Sequence, residues 1–114
     1  MWRIYSMHTW MFILHRVTGA ALLAYFVAHV LTISTALLAG PEAFSAVMAG
    51  LRHPGFRALE LAIVGCVAFH ALNGLRIIAA ERGWLRAGGD AYARATVGAT
   101  LGIWATAAAM AVAR

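Results

Sequence analysis

Phe69-His70-Ala71-Leu72-Asn73-Gly74-Leu75-Arg76 places an imidazole, an amide and a guanidinium inside an otherwise apolar run from about Phe56 to Ala80. As a helix that run is long enough to cross a bilayer. Ionisable groups at membrane depth are costly and rarely idle, so the octapeptide is the first candidate for chemistry. Gly74, four residues after His70, removes a side chain from the same helical face, and the small Cys66 lies four residues before it. A flat ring has room there.

Outward from this run, the whole chain has the same character. Its 114 residues are 63% hydrophobic and 11% charged, with a mean hydropathy of +0.80, outside the range of a soluble domain. Three apolar runs, at about 10–39, 56–80 and 95–113, take up most of the length. The expected fold is an all-α membrane protein, a single transmembrane domain over 1–114 with three spanning helices and one short interfacial helix. Three helices leave little core of their own, so partners are expected to complete the fold.

The net charge of +5 comes from nine Arg, no Lys and four acids. The Arg are dispersed and form no stripe that would follow a phosphate backbone, which argues for topology signals and against nucleic acid as a partner. Cys66 has no second cysteine to pair with. The first apolar run is too long for a secretory signal peptide and lacks a small-residue cleavage site, so the N-terminus is expected to be retained.

Trp2, Arg3, Tyr5, His8 and Trp10 form an aromatic, basic belt suited to the headgroup level. From Val17 to about Ala39 the first span measures ~34 Å as a helix. Gly40-Pro41 ends it, and Pro41-Glu42 can start another helix, in which Phe44, Val47, Met48 and Leu51 recur at helical spacing until His53-Pro54-Gly55. This is the expected interfacial helix. Glu81 to Asp90 reads as a polar, Gly-rich loop. In the third span Gly98 and Gly102, four apart, are expected to let helices approach closely, and Trp104 is expected to pack or face lipid. Arg3, Arg16, Arg76, Arg82, Arg86 and Arg94, against Arg52 and Arg57 in the other connector, place the N-terminus in the cytoplasm and the C-terminus outside.

Two histidines then lie at two depths. His29 is 13 residues from Arg16, about 20 Å from the inner side, and His70 is six residues from Arg76, about 9 Å from it. Two axial nitrogens on one iron are about 4 Å apart, taking zinc–imidazole bonds as a guide. A height difference near 10 Å therefore assigns the two histidines, if both bind iron, to separate haems, each needing a second ligand from another chain. Each histidine has a plainer reading as a helix–helix hydrogen bond. Tyr25 and Phe26 beside His29 suit a haem wall and an ordinary packed helix equally well. Arg76 can neutralise a propionate or simply anchor a helix end.

Leu14-His15-Arg16-Val17-Thr18-Gly19 opening the first span, and His70-x-x-x-Gly74-x-Arg76 closing the second, resemble the two signature motifs of the cytochrome b membrane-anchor subunit of succinate dehydrogenase. The likeness covers nearly the whole chain. It implies an anchor in a bacterial-type inner or cell membrane, paired with a second small three-span subunit, with haem b held between them. The iron–sulfur and flavoprotein subunits would sit on the cytoplasmic side and pass electrons to quinone. It also implies that His70 is an axial haem ligand, and the extra His29 resembles the two-haem branch. His15 and Arg16 are the implied quinone-site residues; their plainer reading is interfacial anchoring. Phe12 stands where many members have a Ser suited to a quinone carbonyl, and Glu81 where an Asp often follows the second motif. The chain itself carries no dinucleotide fingerprint, no cysteine cluster and no catalytic carboxylate pair, so it is expected to be a non-catalytic subunit. The alternatives are the anchor of a quinol:fumarate reductase, and a haem-free structural subunit or small transporter.

Overall fold

The computed structural model describes residues 6–85 and 90–113. The expected features at Trp2, Arg3, Tyr5, Arg86, Gly88 and Gly89 lie outside them. The described residues form four helices: α1 (Met7–Leu38), α2 (Gly40–Gly50), α3 (Pro54–Glu81) and α4 (Asp90–Ala113). The first, third and fourth are long and apolar enough to span a membrane. At 32 residues, or about 48 Å, α1 exceeds the roughly 30 Å of hydrocarbon, so it must tilt or emerge at an end.

Each spanning helix starts before its apolar run, because the residues that start helices are polar. Ser6 caps α1, its side chain accepting from the Thr9 amide at 3.3 Å. His53 caps α3 through Nδ1, which accepts from the Gly55 amide at 3.0 Å, and Pro54 fills the first turn, where a missing N–H costs nothing. His53-Pro54-Gly55 thus starts α3 as well as following α2. The fourth helix begins at Asp90, five residues before the expected 95, with that carboxylate favourably placed in the first turn. Asp90 also meets His8 at 3.2 Å, tying the starts of α4 and α1 together.

Between α1 and α2 the chain reverses at Gly40, whose φ of 88° lies in the left-handed region. The short helix α2 packs against α1. α3 is central, packed against α1 on one side and α4 on the other, while α1 and α4 touch only lightly. Met11, Phe69 and Ala93 form the small buried cluster, with Val97 against it. Most large apolar side chains, including Leu23, Phe26, Leu37, Leu75 and Leu101, point outward, as lipid or partner helices require. Threonines inside the spans satisfy their hydroxyls on backbone carbonyls one turn earlier, as Thr96 does on Tyr92 and Thr100 on Thr96.

The close approach of α3 and α4 is not at Gly98 and Gly102, where an added Cβ would meet nothing within 4 Å. It lies at Gly65, over which the Trp104 indole sits so closely that a Cβ would come within 3.0 Å of Cδ1. The indole N–H donates to the Leu61 carbonyl at 3.0 Å. Spacing identifies a small-residue face but not which neighbour fills it, so the two glycines face away from this chain's own helices. Trp104 packs on α3 as expected, with part of its ring still exposed.

Candidate functional site: two histidine centres

The inner centre is built where α1 and α3 cross. His70 on α3 lies flat on His15 of α1, ring centroids 4.0 Å apart and planes 8° from parallel. His70 Nδ1 is 3.2 Å from the Thr18 hydroxyl and 3.2 Å from the His15 carbonyl. The Thr18 hydroxyl donates to the Leu14 carbonyl at 2.8 Å, with the His15 carbonyl at 3.1 Å. Gly19 gives the imidazole its room, since a Cβ there would sit 3.0 Å from His70 Cε1. Gly74 faces the other ring, with a Cβ position 3.6 Å from His15 Cε1. The open face expected beside Gly74 therefore holds the His15 imidazole within this chain.

One turn further along α3, Asn73 is fully buried, and its Oδ1 accepts from Arg76 Nε at 2.9 Å. Among the described residues, two enclosed side-chain polar atoms lack a partner, His15 Nδ1 and Asn73 Nδ2. Arg16 stands apart from this cluster, exposed, with its guanidinium carbon 5.8 Å from the centre of the Phe12 ring. The Phe12 ring thus gives the cation a π face to rest on.

The outer centre surrounds His29. Its Nδ1 lies 3.4 Å from the Tyr25 hydroxyl, and the two rings are 5.4 Å apart at 31°. Both line a cavity of about 400 Å³ between α1, α2 and α3. Phe44 and Met48 of α2, with Leu51 just past its end, form one wall, and Phe56, Leu59, Glu60 and Ile63 of α3 another. The apolar ridge of the short helix therefore faces a cavity rather than only a membrane surface.

Contact of His70 with Gly19 gives the vertical separation directly. His29 lies ten residues beyond Gly19 on the same helix, about 15 Å along its axis. This exceeds the 10 Å expected from the sequence, and it is several times the span of one iron with two axial nitrogens. Among the described residues no group of three or more His, Cys, Asp or Glu could hold a metal ion. Sequence reasoning placed His70 and His15 in different roles, and the structure brings them together. It passed over Glu60, whose signal was a carboxylate inside a span, and gave Thr18 no role of its own beyond its place in a motif.

Among the described residues, three helices long and apolar enough to span a membrane, with half-buried His70 where α1 and α3 cross and exposed His29 beside the cavity, define a class: an integral membrane helical protein. The profile of the succinate dehydrogenase/fumarate reductase transmembrane subunit family matches residues 1–112, and the chain belongs to that family. It is 36% identical over 69 residues to the succinate dehydrogenase 2 membrane subunit SdhC of Mycobacterium tuberculosis, covering 60% of this chain and 50% of that protein. It is 30% identical over 83 residues to the succinate dehydrogenase hydrophobic membrane anchor subunit of Halobacterium salinarum, covering 72% of this chain and 63% of that one. The matches thus span about half to three-fifths of those relatives' lengths. No solved structure matches. The membrane-anchor resemblance read from the two motifs is the family found.

Proposed function

We propose that this chain is the haem b-binding anchor of a succinate dehydrogenase, lodged between the iron–sulfur subunit and the quinone pool. The observation that carries the reading is the state of His70. Its Nδ1 is engaged by α1, while Nε2 has no hydrogen-bond partner among the described residues and is not among the enclosed atoms. That is how a metal-binding imidazole is held, one nitrogen fixed by the protein and the other presented. His70 would hold an inner haem, and His29, with Tyr25 behind its Nδ1 and apolar walls around it, would hold an outer one. Each would take its second axial ligand from the second small anchor subunit. Haem b bound in this way supplies a one-electron carrier inside the membrane.

The remaining residues act around these two. Arg76, pinned by Asn73 at the inner boundary, presents a fixed positive charge to a propionate or a reduced quinone. Gly74 adds no side chain of its own to the face where the His15 imidazole lies. His15 and Arg16 belong to the quinone side, Arg16 as the exposed cation and His15 as the imidazole linking that side to His70. With the N-terminus in the cytoplasm, both lie toward the iron–sulfur and flavoprotein subunits. Both relatives are named for succinate dehydrogenase, which does not favour the fumarate reductase alternative.

One observation favours a second reading. The His15–His70 stack already covers one face of each ring, as a haem-free helix pair would. A reduced-minus-oxidised spectrum of the purified complex separates the two, with haem quantitation on wild type and His70→Ala. A b-type band that the substitution diminishes is expected; a complex without that band would leave only the structural role.

A further inference from the structure

We infer that Thr18, together with the His15 carbonyl, locks His70 in the Nδ1–H tautomer and so makes Thr18 a positioning residue for axial ligation through Nε2. The inference rests on the proposed role of His70, but its first step is donor and acceptor accounting within this chain. The Thr18 hydroxyl has one proton, and that proton is committed to the Leu14 carbonyl at 2.8 Å, with the His15 carbonyl as a second, longer acceptor at 3.1 Å. Toward His70 Nδ1, at 3.2 Å, the hydroxyl oxygen therefore acts as acceptor. The other neighbour of Nδ1, also at 3.2 Å, is a carbonyl and can only accept. Both neighbours accept, so Nδ1 carries the proton and donates to the two of them. In a neutral imidazole the lone pair then belongs to Nε2.

Thr18 is suited to this task by burial as well as chemistry. It is 8% exposed, one of three buried polar side chains among the described residues. Gly19 beside it lets the imidazole come within contact of the α1 backbone, which is what brings the His15 carbonyl into range. The His15 ring then covers one face of His70 and leaves fewer orientations open. The acceptor pair thus selects both the tautomer and the rotation of the ring, two properties an axial ligand must have before a metal arrives.

The test has two arms. In the full chain reconstituted in lipid bilayers without haem and labelled with 15N-histidine, the His70 resonances, identified by their loss in His70→Gln, should show a protonated Nδ1 and an unprotonated Nε2. The reverse pattern would overturn the inference whatever the haem does. In the assembled complex, Thr18→Val should weaken haem retention by about 10-fold or more, the usual effect of losing a group behind a metal ligand, and should shift the low-spin electron paramagnetic resonance of the inner haem. Thr18→Ser should restore both. Retention and resonance unchanged in Thr18→Val would also overturn it. If His70→Gln binds haem with an unaltered spectrum, the ligand role of His70 fails, and the 15N arm still decides the tautomer separately.

Discussion

Gly19 and Gly74 face the same pair of imidazoles from opposite helices, yet a methyl group would affect them differently. At Gly19 the new Cβ would lie 3.0 Å from His70 Cε1, so the ring must yield and its bonds to α1 must stretch. At Gly74 it would lie 3.6 Å from His15 Cε1, an ordinary contact. Gly19→Ala is therefore expected to destabilise the fold by roughly 1–3 kcal/mol, the usual cost of overpacking, and to lower haem content. Gly74→Ala should leave thermal unfolding of the haem-free chain nearly unchanged, so a haem deficit in its complex would report crowding of the bound ring. Unfolding and haem content equal to wild type in Gly19→Ala would contradict the packing described. Asn73 allows a sharper test. If its only role is to hold Arg76, Asn73→Leu and Arg76→Ala should lower quinone reduction by similar factors, and the double variant should be little worse than either, with a coupling of about 0.5–3 kcal/mol. Additive losses would show that the two act independently. His70, Gly74 and Arg76 were legible in the sequence because each is an anomaly within an apolar run. The Asn73 amide stood out in the same way, but its burial and its bond to Arg76 did not, and neither did the role of Thr18, which meets His70 across 52 positions.

Among the elements, each of the three apolar runs coincides with a long helix, and each helix begins before the run does. Hydropathy marks the part of a helix that must avoid water, whereas Ser6, His53 and Asp90 begin helices through polar groups that hydropathy excludes. Packing between elements was less legible still. The pair Gly98 and Gly102 marked a small face on α4, but the contact with α3 was made by Gly65 and Trp104. This division yields a prediction about where the partner subunit sits. Gly65→Ala must displace the indole and is expected to lower the unfolding temperature of the chain alone. Gly98→Ala and Gly102→Ala meet open space, and replacing glycine within a helix gains up to ~1 kcal/mol of propensity, so the isolated chain should be unharmed or slightly stabilised. If a helix of the second anchor subunit packs on that face, the same two substitutions should reduce recovery of the intact complex in detergent. Full recovery would place the partner elsewhere, on the apolar faces of α1 or α3.

For the molecule as a whole, the vertical distance between the two histidine centres has the widest consequence. With α3 at the centre, the inner site forms where α1 crosses it near His15 and Gly19, and the outer site where α1, α2 and α3 diverge around a cavity. The centres share α1 and α3 but no side chain, and ten helical residues, about 15 Å, lie between Gly19 and His29. Perturbations that far apart with no common partner are expected to add. His29→Ala should therefore remove one haem from the purified complex and leave the potential and resonance of the other unchanged, and His70→Ala should do the converse. The double variant should lose both, by the sum of the single losses. Redox titration with haem quantitation on the four proteins checks this. A wild type with a single haem, or a His29→Ala complex with its full complement, would reduce the outer cavity to an apolar space closed by α2. In that case the Tyr25–His29 pair would be a hydrogen bond within α1, and only the inner crossing would remain as a site for chemistry.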